Sequence, residues 1–248
     1  MNKRKILNSF VSIGSYNEFV SNILLLSELK KSSYVCVCNV HMILEAKKDE
    51  RFNSILNNAD ITTPDGMPVA KILSWKYKIN QARVAGMDLL PTLINECSKN
   101  KKSIFLYGST DHVLSNIVKR AKSTFPNLNI QYYSPPFKSL TFQEESKVID
   151  MINDHNPDFV FVALGCPKQE KWMFKNKDKI FSCMIGLGGA FEVYAGLRNR
   201  APKWMSMYSL EWFYRLLLEP RRLFLRYFIT NSLFIWYICK GYIKNFFK

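Results

Sequence analysis

The sequence predicts an α/β fold in a Rossmann-like arrangement: a parallel sheet with helices on both faces, followed by a helical appendage. Three observations predict it. Short, continuously apolar runs alternate with amphipathic stretches of helical length, as expected for strands buried on both faces and their crossover helices. Several runs pass straight into a glycine turn and then a helix, at Gly108-Ser109-Thr110, Gly165-Cys166-Pro167 and Gly186 to Gly189. After Pro202 the strand-like runs stop and only helical stretches remain.

The strands, in order, are YVCVCN (34–39), ADITT (59–63), SIFLYG (103–108), LNIQYY (128–133), DFVFVALG (158–165) and FSCMIGLG (181–188). Helices are predicted near 41–57, 66–75, 86–99, 110–124, 141–155, 167–176 and 189–196. The opening MNKRKILNSFVSIGS carries positive charge, but its apolar stretch is broken by Asn8, Ser9, Ser12 and Gly14. It therefore does not read as a secretory signal. Beyond Pro202 a helical break is expected at Glu219-Pro220, because proline suits a helix start and not its interior. The chain divides on this reading into an α/β domain at 1–200 and an aromatic, basic appendage at 201–248.

Composition narrows the function. Apolar residues at 48% and charged residues at 22% exclude a disordered chain. A net charge of +15 calls for an anionic partner: nucleic acid, an acidic membrane surface or a phosphorylated substrate. From Arg198 onward there are ten Lys and Arg against two Glu, and fourteen aromatics follow Pro202. That mixture fits the interface of an anionic membrane. A helical pair packed on the core, with a solvated basic face, fits it too. The longest apolar stretch of the appendage, Tyr227 to Cys239, is shorter than the roughly 20 residues a spanning helix needs. The six cysteines form no CxxC pair and read as buried thiols in a reducing compartment, so a cytoplasmic protein is expected.

Several constellations could carry chemistry. TTPDGMPVA (62–70) places Asp65 and Gly66 on a turn between a strand and a helix. Asp65 reads either as a general base at the crevice or as a plain turn or N-cap aspartate. Gly108 in YGSTDH, and Gly188 and Gly189 in GLGGAFE, mark turns whose backbone N–H groups can face an anion. Close strand–helix packing explains them equally well. Gln169, in ALGCPKQEKWM, could hydrogen-bond a sugar or a base edge, or simply belong to a polar first turn. Arg83 could stabilise a leaving phosphate, as could Arg215, Arg222 and Arg226, which would share a helical face if Pro220 does not turn the axis much. The three histidines lack ligand spacing and no Asp-x-Asp occurs, so neither a metal nor a cofactor is expected.

Together the motifs TPDG, RVAGMDLL, LYGS, ALGCPKQEKW, GLGGAFEVYAG and RAPKWMSMYSLEWFYRLLLEPRRLFLRY resemble the WecG/TagA/CpsF glycosyltransferases (glycosyltransferase family 26). The resemblance runs from Tyr34 to Tyr227 and implies an inverting, metal-independent transferase. Its donor would be a UDP-sugar of the N-acetylmannosamine type, or a related HexNAc or uronic acid. Its acceptor would be a GlcNAc on polyprenyl diphosphate at the cytoplasmic membrane face, for teichoic acid, common antigen or capsule. By the same resemblance Asp65 matches the proposed catalytic base, Asn39 a polar neighbour, and Arg83 and Gln169 substrate-binding motifs. Arg215, Arg221 and Arg222 fall in the appendage thought to close over the site. Two departures stand out. Val37-Cys38-Asn39 replaces a frequent Thr-x-Asn, and Phe191-Glu192 replaces a frequent Phe-Asp, which keeps the carboxylate at Glu192.

The partners expected are therefore the UDP-sugar, the lipid-linked acceptor and the inner membrane surface, with no nucleic acid. Away from a membrane, an exposed apolar tail would favour a homo-oligomer. The rival readings are a non-catalytic membrane scaffold, a basic nucleic-acid-binding protein and a Rossmann dehydrogenase. The last would require a dinucleotide fingerprint where this chain has CNVHMILEA.

Overall fold

The computed structural model describes residues 1–202, 204–205 and 210–246, and the side chains at 215, 222, 223, 225–227 and 241–246 lie outside that description. The chain opens with two strands that the sequence reading did not assign. β1 (Lys3–Ile6) and β2 (Ser9–Ser12) form an antiparallel hairpin that turns at Leu7, where φ is +52°. Helix α1 (Tyr16–Glu28) follows, started by a capping box in which Ser15 and Glu18 satisfy each other's backbone N–H groups.

The six predicted strands are all present: β3 (Ser33–Cys38), β4 (Ile61–Pro64), β5 (Ile104–Gly108), β6 (Ile130–Tyr133), β7 (Phe159–Ala163) and β8 (Cys183–Gly186). They form one sheet in the order β4-β3-β8-β7-β5-β6, and every registered pair is parallel. The hairpin lies along the β4 edge, where the Thr62 N–H donates to Ser12 Oγ at 3.1 Å, so that edge is not left open.

The predicted helix over 41–57 is two helices, α2 (Val40–Lys48) and α3 (Glu50–Asn57). Asp49 leaves the helical region and its carboxylate accepts from the Phe52 N–H at 3.1 Å, capping the second helix. The remaining helices are α4 (Met67–Tyr77), α5 (Gly86–Lys99), α6 (Asp111–Thr124), α7 (Phe142–His155), α8 (Lys168–Lys175) and the short α9 (Ala190–Tyr194). Strand residues alternate between two apolar layers. Val35, Val37, Phe159, Phe161 and Ile185 join α1, α5, α6 and α9 on one face. Tyr34, Cys36, Cys38, Val160 and Met184 join α2, α3, α4, α7 and α8 on the other. β3 and β8 are thus neighbours whose following helices leave for opposite faces, and at such a point a crevice opens beyond the carboxyl ends of the strands.

The appendage contains α10 (Glu211–Leu218) and α11 (Pro220–Phe246), broken at Glu219-Pro220 as expected. At 27 residues α11 is about 40 Å long. It is two-faced. Phe234 is buried, and Leu233, Tyr237 and Ile238 pack with it into the layer that holds α2. The Lys47 ammonium of α2 lies 5.8 Å from the Tyr237 ring centre. Phe224, Phe228, Ile229, Ile235 and Trp236 face away from that contact and are exposed. Packing on the core and an exposed aromatic face are therefore both present. Among the described residues, no helix is long and apolar enough to cross a membrane.

Candidate active site

In a parallel sheet every strand delivers its carboxyl end to the same edge. Here that edge gathers Asn39 after β3, Asp65 and Gly66 after β4, Gly165 to Gln169 after β7, and Leu187 to Gly189 after β8. Register pairs Cys38 with Pro64, so Asn39 and Asp65 each follow the last pair of two adjacent strands. The Asp65 N–H donates to the Cys38 carbonyl at 2.9 Å, which ties the TPDG turn to the end of β3.

The N-cap of α4 is Gly66, at φ +87°, and not Asp65. Asp65 therefore stands one residue outside the cap position, at the mouth of the crevice and half-buried. Asn39 is the N-cap of α2; its Oδ1 accepts from the Met42 N–H at 3.1 Å, which fixes the carboxamide beside the Asp65 turn. Val37 is buried in the apolar layer with α5.

Arg83 reaches the same place by a different route. The Val84 N–H donates to the Pro64 carbonyl at 3.0 Å, and Thr63 Oγ1 donates to the Val84 carbonyl at 3.1 Å. These two bonds lash the Arg83 segment to the end of β4. Its guanidinium is clamped between Asp88 at 2.7 Å and Glu211 at 2.6 Å, with the side chain only 15% exposed. Burial works against this charge, but Glu211, Asp88 and Asp65 together outweigh it, so the guanidinium holds its proton more firmly than usual. Asp88 also pairs with Arg200.

Glu211 begins α10, and at the other end Glu219 pairs with Arg198. Both acidic residues of the appendage are thus used to hold α10 on the α/β layer. Glu192 lies on the surface of α9 and pairs with the same Arg198 at 3.2 Å. Met87, Val193, Arg198, Arg200, Glu211 and Tyr214 line a small pocket beneath α10. Arg221 is exposed near the start of α11, whereas the side chains of Arg215 and Arg222 lie outside the described residues.

The glycine turns have steric explanations of their own. A Cβ on Gly108 would stand 2.5 Å from the Ala163 carbonyl oxygen, so β5 and β7 can close up only around glycine there. On Gly186 a Cβ would stand 2.8 Å from Gln169 Nε2, and on Gly188, at φ +47°, 3.3 Å from Gln169 Oε1. The Gln169 carboxamide therefore lies flat against the turn after β8. The Leu187 and Gly188 N–H groups both donate to the Val162 carbonyl, and Gly189 is the exposed N-cap of the five-residue α9. Pro167 is likewise the cap of α8 and not its first residue, after a cis Cys166–Pro167 bond.

Gln169 Nε2 donates to Glu170 Oε1 at 2.8 Å, and both side chains are buried. Burial pushes the Glu170 carboxyl up to about 6, although Gln169, its own backbone N–H and the Cys166 thiol favour the charged form. Glu170 shares the first turn of α8 with Gln169, where a surface position would be expected. The available signal was its spacing from Met173, which puts the carboxylate on the buried face of α8. Glu211, Asp88 and Arg200 were missed as well, since ion pairs across such separations leave no local pattern. Among the described residues, no group of three or more His, Cys, Asp or Glu is placed to hold a metal ion.

Comparison with known proteins sets this geometry in a family. The sequence profile of the Glycosyl transferase WecG/TagA/CpsF family matches residues 4–246, tail included. A relative from Bacillus subtilis is 37% identical over 195 residues, covering 78% of this chain and 74% of its own length. One from Bacillus spizizenii is 35% identical over 193 residues, covering 77% and 74%. A third, from Staphylococcus aureus, is 26% identical over 191 residues, covering 77% and 74%. All three are named N-acetylglucosaminyldiphosphoundecaprenol N-acetyl-beta-D-mannosaminyltransferase. With a match over almost the whole length and relatives above one-third identity, the chain belongs to the Glycosyl transferase WecG/TagA/CpsF family.

Proposed function

We propose that this protein transfers an N-acetylmannosamine-type residue from a UDP-sugar to a polyprenyl-diphosphate-linked GlcNAc in the synthesis of a cell-surface polysaccharide. The observation that carries this reading is Asp65, held outside the cap of α4 at the carboxyl edge, in a chain whose relatives are named mannosaminyltransferases. Asp65 takes the proton of the acceptor hydroxyl as its oxygen bonds to the anomeric carbon. The bond from that carbon to the UDP oxygen breaks, UDP leaves with the electron pair, and the anomeric configuration inverts. Asn39 borders the base, and Gln169 backs the turn after β8 where the donor sits. Gly66, Gly108, Gly188, Gly189 and Glu192 shape the surrounding turns. Arg83, joined by Arg215, Arg221 and Arg222 from the appendage, balances the diphosphate charge without a metal.

The membrane role belongs to α11. Its exposed Phe224, Phe228 and Trp236 suit the headgroup level of the cytoplasmic leaflet, where the lipid-linked acceptor resides. Full-length protein is expected to float with vesicles containing anionic lipid. Replacing Phe228 and Trp236 together by serine should weaken partitioning by about tenfold or more, since each ring removes apolar area from the interface. Added salt should weaken it further. Unchanged flotation of the double variant would refute the assignment.

The test of the reaction is UDP release by full-length protein in EDTA. Donors are a panel of UDP-HexNAc and UDP-uronic acids, with a lipid-diphosphate-GlcNAc acceptor. Release that depends on the acceptor and persists in EDTA is the expected result. No release with any donor would overturn the reading.

A further inference from the structure

The pair Gln169–Glu170 contains a polar imbalance that the transfer reaction does not explain. One donor, Gln169 Nε2, serves Glu170 Oε1, while Gln169 Oε1 has no hydrogen-bond partner and Glu170 Oε2 has no N–H or O–H donor. Both residues are at least nine-tenths buried. Buried acceptors without donors are rare, so this arrangement calls for an explanation. The carboxamide is fixed in one sense by Glu170. Its Nε2 lies toward Gly186 and its Oε1 toward Gly188, and neither glycine offers a Cβ that would push it away. Turned by half a revolution, it would aim its N–H groups at a turn whose own N–H groups at Leu187 and Gly188 point inward to Val162.

We propose that Glu170 is a positioning residue: through Gln169 it sets the turn from Gly186 to Gly189, and with it the affinity for the sugar nucleotide that seats there. This rests on the UDP-sugar reading given above. A carboxylate can only accept, so while Glu170 is ionised the amide must present Nε2 to it. A protonated carboxyl can donate, so the amide is then free to reverse. The titratable groups that face Glu170 are the thiols of Cys36 and Cys38 on β3 and of Cys166 before α8. Burial pushes the Cys36 and Cys38 thiols well above their usual range, so they stay neutral while Glu170 titrates near 6. Affinity should be full above that value and fall as pH drops through it.

The experiment is calorimetric binding of UDP-GlcNAc and UDP-ManNAc to full-length protein between about pH 5 and pH 8. A UDP-hexosamine has no group that titrates near Glu170's value, so the slope belongs to the protein. Wild type should lose roughly tenfold in affinity across this range, about the worth of one well-placed hydrogen bond. Glu170→Gln, which like the protonated carboxyl can donate as well as accept but cannot titrate, should bind as weakly as wild type does at low pH and show no slope. Gln169→Leu should bind weakly and without slope, which keeps the test decisive if Glu170→Gln fails to fold. A merely structural Glu170 would give Glu170→Gln the wild-type slope, and that outcome, or a flat wild type that binds, overturns the proposal. If neither nucleotide binds wild type at any pH, the donor reading itself falls and this inference with it.

Discussion

Asp65→Asn is expected to lower acceptor-dependent UDP release by about 10²–10⁴-fold, the usual worth of a general base. The donor KM and the melting temperature should stay where they are. The asymmetry follows from local structure. The turn is held by backbone bonds from the Asp65 N–H to the Cys38 and Thr63 carbonyls, which asparagine keeps. The cap of α4 is supplied by Gly66, so the side chain does not start the helix. A loss confined to kcat marks an interaction made in the transition state, whereas a parallel rise in KM would assign Asp65 to ground-state binding. Full activity in Asp65→Asn would require another base.

Arg83→Ala should have two effects that separate on measurement. Turnover should fall by about 10²–10³-fold, as when one preorganised donor to a developing negative charge is removed. The anchorage of α10 should also loosen, because Glu211 and Asp88 lose the guanidinium between them. Hydrogen exchange over 211–218 should quicken while the sheet stays protected. Arg83→Lys keeps the charge but cannot span both carboxylates with a planar fork, so it should restore part of each effect. An Arg83→Ala enzyme with a tightly held α10 and normal turnover would remove Arg83 from both roles.

The sheet was readable because five of its six strands are buried along their whole length, whereas the edge strand β6 exposes Gln131 and keeps only Ile130 buried. The hairpin before them was not. β1 is KRKI, with only Ile6 fully buried, and it turns at Leu7 without a glycine. α1 does carry a local signal, the Ser15-x-x-Glu18 capping box. The helix over 41–57 was read as one because Lys47 to Arg51 is charged throughout and hides the cap at Asp49. At the crevice, the candidates next to strand ends could be found from turns alone. Their partners could not. Glu211 meets Arg83, and Arg200 meets Asp88, only after the chain has folded back on itself. The glycines at 186 and 188 looked like an anion cradle, yet what presses against them is the side chain of Gln169.

The strand order has a consequence for how the protein is made. β3 is the first strand of the sheet to leave the ribosome and β8 the last, yet they are hydrogen-bonded neighbours near its middle, Ser33 opposite Cys183. Until β8 emerges, β3 has only β4 beside it, and one of its backbone edges waits unpaired through most of synthesis. Contacts this distant in sequence form slowly and leave the nascent chain open to aggregation. The same seam divides Asn39 and Asp65 from the turn after β8, so a chain halted before Gly186 has no complete crevice. Synthesis therefore finishes the sheet and the crevice in the same step, and only then adds α10 and α11.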